Sequence, residues 1–332
     1  MRPAELTEYL QFAIANNFPA LIKGKPGIGK SDIVSQAAET ANAKLIISHP
    51  VVSDPTDYKG LPFPNKNGTA DFLPFGDLHQ IITTKEKTVF FLDDLGQAPA
   101  SVQAACMQLL LARRINGHIV SDHVTFIAAT NRREDKAGVN GLLEPVKSRF
   151  TTILELEVNT DDWIKWALTS DIPTELIAFI KFRPELLDNF VPTKDIINSP
   201  SPRTIAAVGK QQVAGIPKNF EFEAFKGAAG EFFAVEYCAF LKIYRELPSM
   251  DEIIMNPDSA PLPSAPSIQY AISSGLAKKM NDQNISPICT YLDRLPAEMS
   301  VACMKTAITK NGKICNNRAY IKWASDKADV LI

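Results

Sequence analysis

The chain has 332 residues, which exceeds one ordinary compact domain and predicts two or three. Hydrophobic residues make up 45% and charged residues 22%, the balance of a soluble globular protein, and the formal charge of −2 gives no global positive field to attract nucleic acid. No run of about 18 apolar residues occurs, and Glu5 and Glu8 interrupt the N-terminal apolar stretch. The sequence therefore predicts neither a membrane span nor an export signal.

Cysteine and histidine give no sign of a special chemistry. The five cysteines are odd in number, show no CxxC spacing and form no metal-ligand pattern with the four histidines; they are Cys106, Cys238, Cys289, Cys303 and Cys315. Reduced thiols fit a cytoplasmic protein best. We therefore expect a cytoplasmic location and structural or incidental roles for all nine side chains.

The first part of the chain alternates between helical and strand patterns. Leu6, Leu10, Ala13 and Ile14 share one face of a predicted helix at 3–16. Apolar runs predict buried strands at 20–22, 89–92 and 124–129. Further strands are predicted at 44–48 and at 150–158, where acids are mixed with the apolar residues, and helices are predicted at 31–41 and 99–111. Alternating strands and helices indicate an α/β fold, a parallel sheet flanked by helices.

Two segments between these elements carry turn signals. Residues 53–78 are rich in proline and glycine and are predicted to form a long loop. Asn116-Gly117 stands between two short apolar-containing pairs, which is a hairpin signal.

After residue 158 the pattern becomes helical. Asp161 is expected to cap a helix that carries Trp163 and Trp166, and 220–247 contains a long apolar-periodic helix. Prolines at 256–267 indicate a linker, and several short helices are expected beyond it. The predicted division is an α/β core at 1–158, a helical domain at 159–247, and a linker with a helical extension at 248–332.

The motif that carries most chemistry runs from Gly24 to Ser31 and matches GxxxxGK[ST] in full. Its glycines let backbone N–H groups close around phosphates, and the following helix directs its positive end at them. The lysine reaches the β- and γ-phosphates and the serine hydroxyl ligates Mg²⁺. We therefore expect ATP and Mg²⁺ to be bound by Gly24, Pro26, Gly27, Ile28, Gly29, Lys30 and Ser31.

Acids follow the strand at 89–92. An apolar strand that ends in an acid is what a Walker B motif requires, so Asp93 is expected to hold Mg²⁺. Asp94 would then polarise the attacking water.

Three further polar residues complete the candidate set. Asn131 ends the strand at 124–129 at the sheet edge where ligands bind, and there it would orient water or contact the γ-phosphate. Arg149 precedes the last strand. Arg203 lies in the first turn of a helix predicted from Ser201 as N-cap and Pro202 as the first helical residue, where a cation opposes the helix dipole and hints at a facing anion.

The order of these five features resembles the AAA+ ATPases, in which they would be Walker A, Walker B, sensor 1, arginine finger and sensor 2. The stretches 54–60, 114–119 and 201–203 make the chain look like the MoxR type over roughly residues 1–247. By that resemblance Arg149 reaches the γ-phosphate of a neighbouring subunit and Arg203 that of its own. Arg132 and Arg133 are rival trans-acting residues, and 159–247 would be an α-helical lid.

The chain departs from the family at one position, because the family usually has Asp-Glu where this chain has Asp93-Asp94. Aspartate is one methylene shorter, so its carboxylate can stop short of the water. Slow hydrolysis, or a local shift of the backbone, is the expected consequence.

The resemblance implies a homo-oligomeric ring, six subunits being the family habit, that remodels or activates a client or adaptor protein, often one with a von Willebrand A domain. The segments 53–78 and 114–119 would then contact the substrate. Two alternatives stay open: a nucleic-acid motor or loader, which the charge disfavours, and a nucleotide-gated scaffold with little turnover.

Overall fold

A computed structural model describes residues 1–135, 141–245, 247 and 249–327. The chain divides into two compact units, Met1–Asn159 and Thr160–Ile332. The first unit mixes helices and strands, and the described part of the second consists of helices and connecting segments. The predicted change from alternating to helical structure near residue 158 agrees with this pattern of elements.

The first unit contains the strands of the fold and six α-helices among its described residues. The strands are β1 (Ala20–Gly24), β2 (Lys44–Ser48), β3 (Leu61–Pro64), β4 (Ala70–Leu73), β5 (Thr88–Leu92), β6 (Arg114–Ile115), β7 (His118–Ile119), β8 (Val124–Asn131) and β9 (Thr152–Glu155). The helices are α1 (Pro3–Ala15), α2 (Lys30–Thr40), α3 (Pro55–Lys59), α4 (Gly76–Thr83), α5 (Ala100–Ala112) and α6 (Glu144–Lys147).

Five strands form one sheet in the order β2-β5-β8-β1-β9, and every pairing in it is parallel. The predicted α/β class with a parallel sheet flanked by helices is therefore confirmed. Strand β1 lies between β8 and β9, with Gly24 opposite Asn131 and Lys23 opposite Glu155. Parallel strands end at one common edge, so the residues after these strands meet there.

The sheet separates two hydrophobic clusters. Successive strand residues point to opposite faces, so Phe90 packs with Phe126 on the side of α5, at 5.9 Å between ring centroids, while Phe91 packs on the side of α1 and α2. All five residues of β5 are buried. Burial on both faces explains why these strands read as continuous apolar runs in the sequence.

The predicted loop at 53–78 is wrong over most of its length. Helix α3, an antiparallel hairpin of β3 and β4, and the start of α4 occupy it. The Asn65 side-chain oxygen accepts hydrogen bonds from the amides of Asn67 and Thr69, and Gly68 adopts a φ of 75°, so the turn formers close a hairpin. All eight hairpin strand residues are exposed, so no alternation of apolar and polar residues revealed them.

The hairpin predicted at Asn116-Gly117 is confirmed as β6 and β7. Both turn residues have positive φ, 48° and 87°, as a two-residue turn of this hand requires. The side-chain amide of Asn116 donates to the Lys59 carbonyl at 2.8 Å, and the His118 ring nitrogen lies 2.6 Å from the Phe72 carbonyl oxygen. The second contact joins the hairpins β3–β4 and β6–β7, and the first joins the turn of β6–β7 to the end of α3.

The second unit is built from ten α-helices among its described residues. They are α7 (Thr160–Thr169), α8 (Thr174–Phe182), α9 (Pro202–Val213), α10 (Glu221–Ala229), α11 (Glu231–Arg245), α12 (Met250–Met255), α13 (Pro266–Lys279), α14 (Ile285–Leu292), α15 (Ala297–Lys310) and α16 (Arg318–Asp326). Asp161 lies in the first turn of α7. The helical stretch predicted within 220–247 is divided at Gly230, whose φ is 90° and whose hydrogen faces the Asn198 carbonyl.

Aromatic side chains dominate one core of the second unit, where Phe179 of α8 contacts Phe233, Tyr237 and Phe240 of α11. Helix α13 packs against both α8 and α15. The predicted boundary between 247 and 248 stays a prediction.

In the described parts of the chain, no helix combines the length and the apolar character needed to cross a membrane.

The burial of β5 gives a stability prediction. Phe91 is completely buried in the central sheet, whereas Phe63 on the hairpin is 59% exposed. Phe91→Ala should lower the free energy of unfolding by about 3–5 kcal/mol through lost contacts and a cavity, and Phe63→Ala by less than about 0.5 kcal/mol. Urea unfolding followed by circular dichroism measures both. Equal losses for the two variants would contradict the assignment of β5 to the core.

Candidate functional site

The glycine-rich loop joins the end of β1 to the start of α2. Gly27 and Gly29 have φ values of 75° and 91°, and such left-handed residues turn successive amides towards one concave side. A Cβ on Gly24 would lie 2.6 Å from the Ile28 side chain and 3.0 Å from the Leu156 carbonyl, so this position is closely packed. A Cβ on Gly29 would meet nothing within 4 Å. Gly29 is thus required by its backbone angle alone.

Lys30 begins α2 and is only 6% exposed. Its ammonium donates hydrogen bonds to the carbonyls of Gly24 at 3.1 Å and Lys25 at 2.8 Å, and to the side-chain oxygen of Asn131 at 2.7 Å. These bonds hold the positive charge against the loop, beside the positive end of the α2 dipole. The arrangement is suited to an anion such as a phosphate.

Ser31 follows on the same helix, and its hydroxyl donates to a carboxylate oxygen of Asp93 at 2.7 Å. Asp93 stands directly after β5, so the parallel strands deliver it to the glycine-rich loop. A hydroxyl and a carboxylate are hard oxygen donors of the kind that Mg²⁺ prefers. This donor pair fits Mg²⁺.

Asn131 lies at the centre of the site. Its amide nitrogen donates to Asp94 at 3.2 Å while its oxygen accepts from Lys30. Asp94 adopts left-handed backbone angles, φ 55° and ψ 34°, at the start of a 3₁₀ turn. The structure therefore brings together Lys30, Ser31, Asp93, Asp94 and Asn131 at the carboxyl edge of β1, β5 and β8.

The three arginines near this edge differ in their surroundings. Arg149 follows α6, and its Nε atom is buried and has no hydrogen-bond partner among the described residues. Arg132 donates two hydrogen bonds to Asp135, at 2.8 and 3.0 Å. Arg133 is exposed.

Arg203 belongs to the second unit, whereas the other predicted site residues belong to the first. The predicted cap of its helix is confirmed, because the Ser201 hydroxyl accepts from the Thr204 amide at 3.3 Å and Pro202 is the first residue of α9. Arg203 is exposed in the first turn.

Sequence reasoning missed a charged cluster beside the site. Glu155 of β9 bonds to Lys23 of β1 and approaches Arg132, and these bonds, the one from Lys23 above all, hold the pKa of Glu155 below its usual value. The hydrogen bonds that Arg132 donates to Asp135 raise the pKa of Arg132. The sequence signal that could have indicated this cluster was an acid, Glu155, inside a predicted strand.

The two open glycine positions provide a matched test of the loop. Gly29 and Gly68 both have positive φ, and a Cβ on either would meet nothing within 4 Å. Alanine at each should cost about 1–2 kcal/mol of backbone strain. Only Gly29→Ala should weaken binding of a fluorescent ATP analogue, by about tenfold, because only that residue shapes the phosphate loop. Loss of affinity in Gly68→Ala, or none in Gly29→Ala, would contradict this account.

Comparison with known proteins points to the same segment. Residues 19–150 match the AAA domain family, dynein-related subfamily. Midasin from Giardia intestinalis is 30% identical over 172 residues, 49% of this chain. The chain spans only 4% of the length of that curated relative.

Solved structures overlap more loosely. The RuvB Holliday junction branch migration motor of Thermotoga maritima shares 13% identity at a TM-score of 0.37, with 98% of this chain and 86% of that chain covered. NtrX from Brucella abortus, in complex with ADP, shares 11% identity at a TM-score of 0.42, with 99% and 68% covered. Both TM-scores are too low to bear on overall architecture.

The family match and the phosphate-loop geometry fall on the same residues. The glycine-rich loop, the acids after β5 and the asparagine that ends β8 all lie inside the matched segment. The segment that matches the AAA domain family therefore contains the glycine-rich loop and the polar residues that the parallel strands bring to it.

Proposed function

We propose that the chain is a MoxR-like AAA+ ATPase that couples binding and hydrolysis of Mg-ATP, in an oligomeric ring, to remodelling or activation of a partner protein. The observation that carries the proposal is the convergence of Lys30, Asn131 and Asp94 through two hydrogen bonds, beside the Ser31–Asp93 pair, inside a matched AAA domain.

Phosphate binding engages Lys30 first. An ammonium has three protons, and those of Lys30 face two backbone carbonyls and the Asn131 oxygen. A phosphate oxygen that accepts from Lys30 must replace one of these acceptors. Asn131 is the side chain among them and can rotate, so the γ-phosphate would compete with Asn131 for the lysine. The site thereby links nucleotide binding to the position of Asn131.

Ser31 and Asp93 would hold Mg²⁺, because their oxygens already lie 2.7 Å apart. When bound, Mg²⁺ neutralises charge on the β- and γ-phosphates. The backbone amides of the Gly24–Ser31 loop add fixed donors for the same oxygens.

Asp94 is the proposed group that polarises the attacking water, and its backbone bears on the departure from the family. Left-handed angles are tolerated by aspartate and asparagine far better than by most residues, because their short side chains bond locally. Aspartate here thus suits a turn that glutamate would strain. This favours local adaptation of the site to the shorter acid over a defective site.

Among the arginines, Arg149 is the preferred trans-acting residue. Arg132 already donates two hydrogen bonds to Asp135, and reaching a neighbouring subunit would break both. Arg149 has a buried Nε without a partner among the described residues, so it gives up less on meeting a phosphate. Arg133 stays as the rival, and Arg203 is assigned to the γ-phosphate of its own subunit by family resemblance.

The paired hairpins β3–β4 and β6–β7 are the proposed contact with the partner protein. They expose apolar side chains that a stable monomer gains nothing from exposing, with Phe63 at 59%, Leu61 and Leu73 at 49% and Ile119 at 61%. A client or adaptor protein, by resemblance one with a von Willebrand A domain, would cover them. The net charge of −2 favours a protein over nucleic acid.

Asp94 supplies the test of hydrolysis. Asp94→Asn keeps the left-handed turn and the Lys30, Ser31 and Asp93 contacts, so binding of ATP should persist while turnover falls by about 10²–10⁴. Asp94→Glu should also be slower than wild type, because the longer acid strains the turn. Steady-state phosphate release and analogue binding are measured for all three proteins.

Each outcome selects between the alternatives. Wild-type phosphate release no faster than that of Asp94→Asn would replace the hydrolase by the nucleotide-gated scaffold. Faster release by Asp94→Glu would show that the short side chain limits the reaction and that the turn has not adapted.

The arginine assignment predicts complementation between subunits. Lys30→Ala and Arg149→Ala should each be inactive, since a trans-acting arginine contributes about 10³–10⁵ in rate. Mixed rings of the two should regain part of the activity, because some interfaces pair an intact loop with an intact arginine. Phosphate release of the mixture is compared with that of each variant alone.

Arg133→Ala is the matched control and should remain active by itself. If verified mixed rings show no recovery of phosphate release and Arg133→Ala is itself inactive, the trans-acting role is assigned to Arg133 instead.

A further inference from the structure

Glu155 occupies a position between two strands that flank the site. It pairs with Lys23 across β9 and β1, and its carboxylate lies 2.7 Å from the lysine nitrogen. Lys23 directly precedes Gly24, the first residue of the phosphate loop. One oxygen of Glu155 is therefore attached to the strand that delivers the loop.

The other oxygen of Glu155 faces Arg132, at 3.5 Å from its guanidinium. Arg132 directly follows Asn131, and two further hydrogen bonds tie it to Asp135, whose side chain is only 6% exposed. Glu134 lies 3.2 Å from the same guanidinium. The residue after Asn131 thus contacts acids on two sides, two from its own loop and one from β9.

Because of the strand register, the contacts of Glu155 with Lys23 and with Arg132 both affect the distance between the ends of β1 and β8. Gly24 lies opposite Asn131 in the pairing of β1 and β8. Lys23 and Arg132, the neighbours of that pair, are both bound to Glu155. Glu155 therefore bridges the two chain segments whose separation sets the contact between Lys30 and Asn131.

Stability is a poor explanation for the pair of Lys23 with Glu155. Lys23 and Glu155 are 44% and 37% exposed, and ion pairs this exposed contribute about 0–1 kcal/mol. A planar guanidinium held by two hydrogen bonds, in contrast, fixes orientation closely. The expected effect of the cluster is on geometry.

We propose that Glu155 and Asp135 are positioning residues that clamp Lys23 and Arg132 and so hold Asn131 in register with the phosphate loop. The clamp rests on the proposed ATP hydrolysis for its effect on rate. Both residues act through Arg132 on Asn131, whose bond to Asp94 is already 3.2 Å long.

The clamp predicts a division between binding and turnover. Displacement of a catalytic group by about 1 Å can cost up to about 10² in rate. Glu155→Gln should lower kcat by about fivefold and Asp135→Asn by about tenfold or more, with the KM for ATP changed less than about twofold, because the loop and Lys30 are intact. Glu157→Gln is the control, since Glu157 is 75% exposed and faces only the N-terminal amine among the described groups.

An exchange of charges separates the contact of Glu155 with Lys23 from its contact with Arg132. Lys23→Glu combined with Glu155→Lys keeps the pair between β1 and β9 but places a cation before Arg132. The exchanged protein should stay about as slow as Glu155→Gln. Restoration of the wild-type kcat in the exchanged protein would overturn the proposed role of the contact between Glu155 and Arg132. An increase in KM as large as the fall in kcat would overturn the positioning role.

Hydrogen exchange provides a readout that needs no hydrolysis. The peptide covering residues 128–133 should exchange at least about threefold faster in Glu155→Gln than in wild type, and not in Glu157→Gln. Unchanged exchange in a folded Glu155→Gln protein would overturn the clamp, even if Asp135→Asn does not fold. If Glu155→Gln exchanges faster than wild type but the wild-type protein hydrolyses no ATP, the clamp is supported and the proposed hydrolase is overturned.

Discussion

The site depends on one pairing, that of β1 with β8. Because the strands are parallel and Gly24 lies opposite Asn131, the loop that begins at one strand end and the amide that finishes the other are brought to the same height. A slip by one residue would turn Asn131 to the other face of the sheet. The contacts of Asn131 with Lys30 and Asp94 would then be lost together.

Strand β8 is also held by β5, its other neighbour, through contacts on both faces of the sheet. Phe90 and Phe126 lock β5 to β8 on one side, and Phe91 and Ile127 do so on the other. Close-packed interiors resist small displacements, so polar side chains at the strand ends inherit a rigid base. The rigid sheet supplies precision and the residues beyond its edge supply chemistry.

Much of the first unit could be predicted because its central strands are buried on both faces. Such strands are apolar without interruption, and the glycine-lysine-serine motif carries its own geometry. The hairpin at 61–73 could not be predicted in this way, since its exposed strands follow no burial pattern. The role of Glu155 was equally hidden, because it depends on which residue of β1 lies beside it. Local patterns reveal elements, while contacts between strand ends require the register.

The left-handed turn at Asp94 has a consequence for how this site can change over evolutionary time. The acid and the backbone conformation are matched, so a single substitution to glutamate meets a turn shaped for a shorter side chain. A change to glutamate would require the segment after β5 to relax in the same step. The side chain and the turn are therefore expected to change together, and glutamate at this position should go with a differently wound turn.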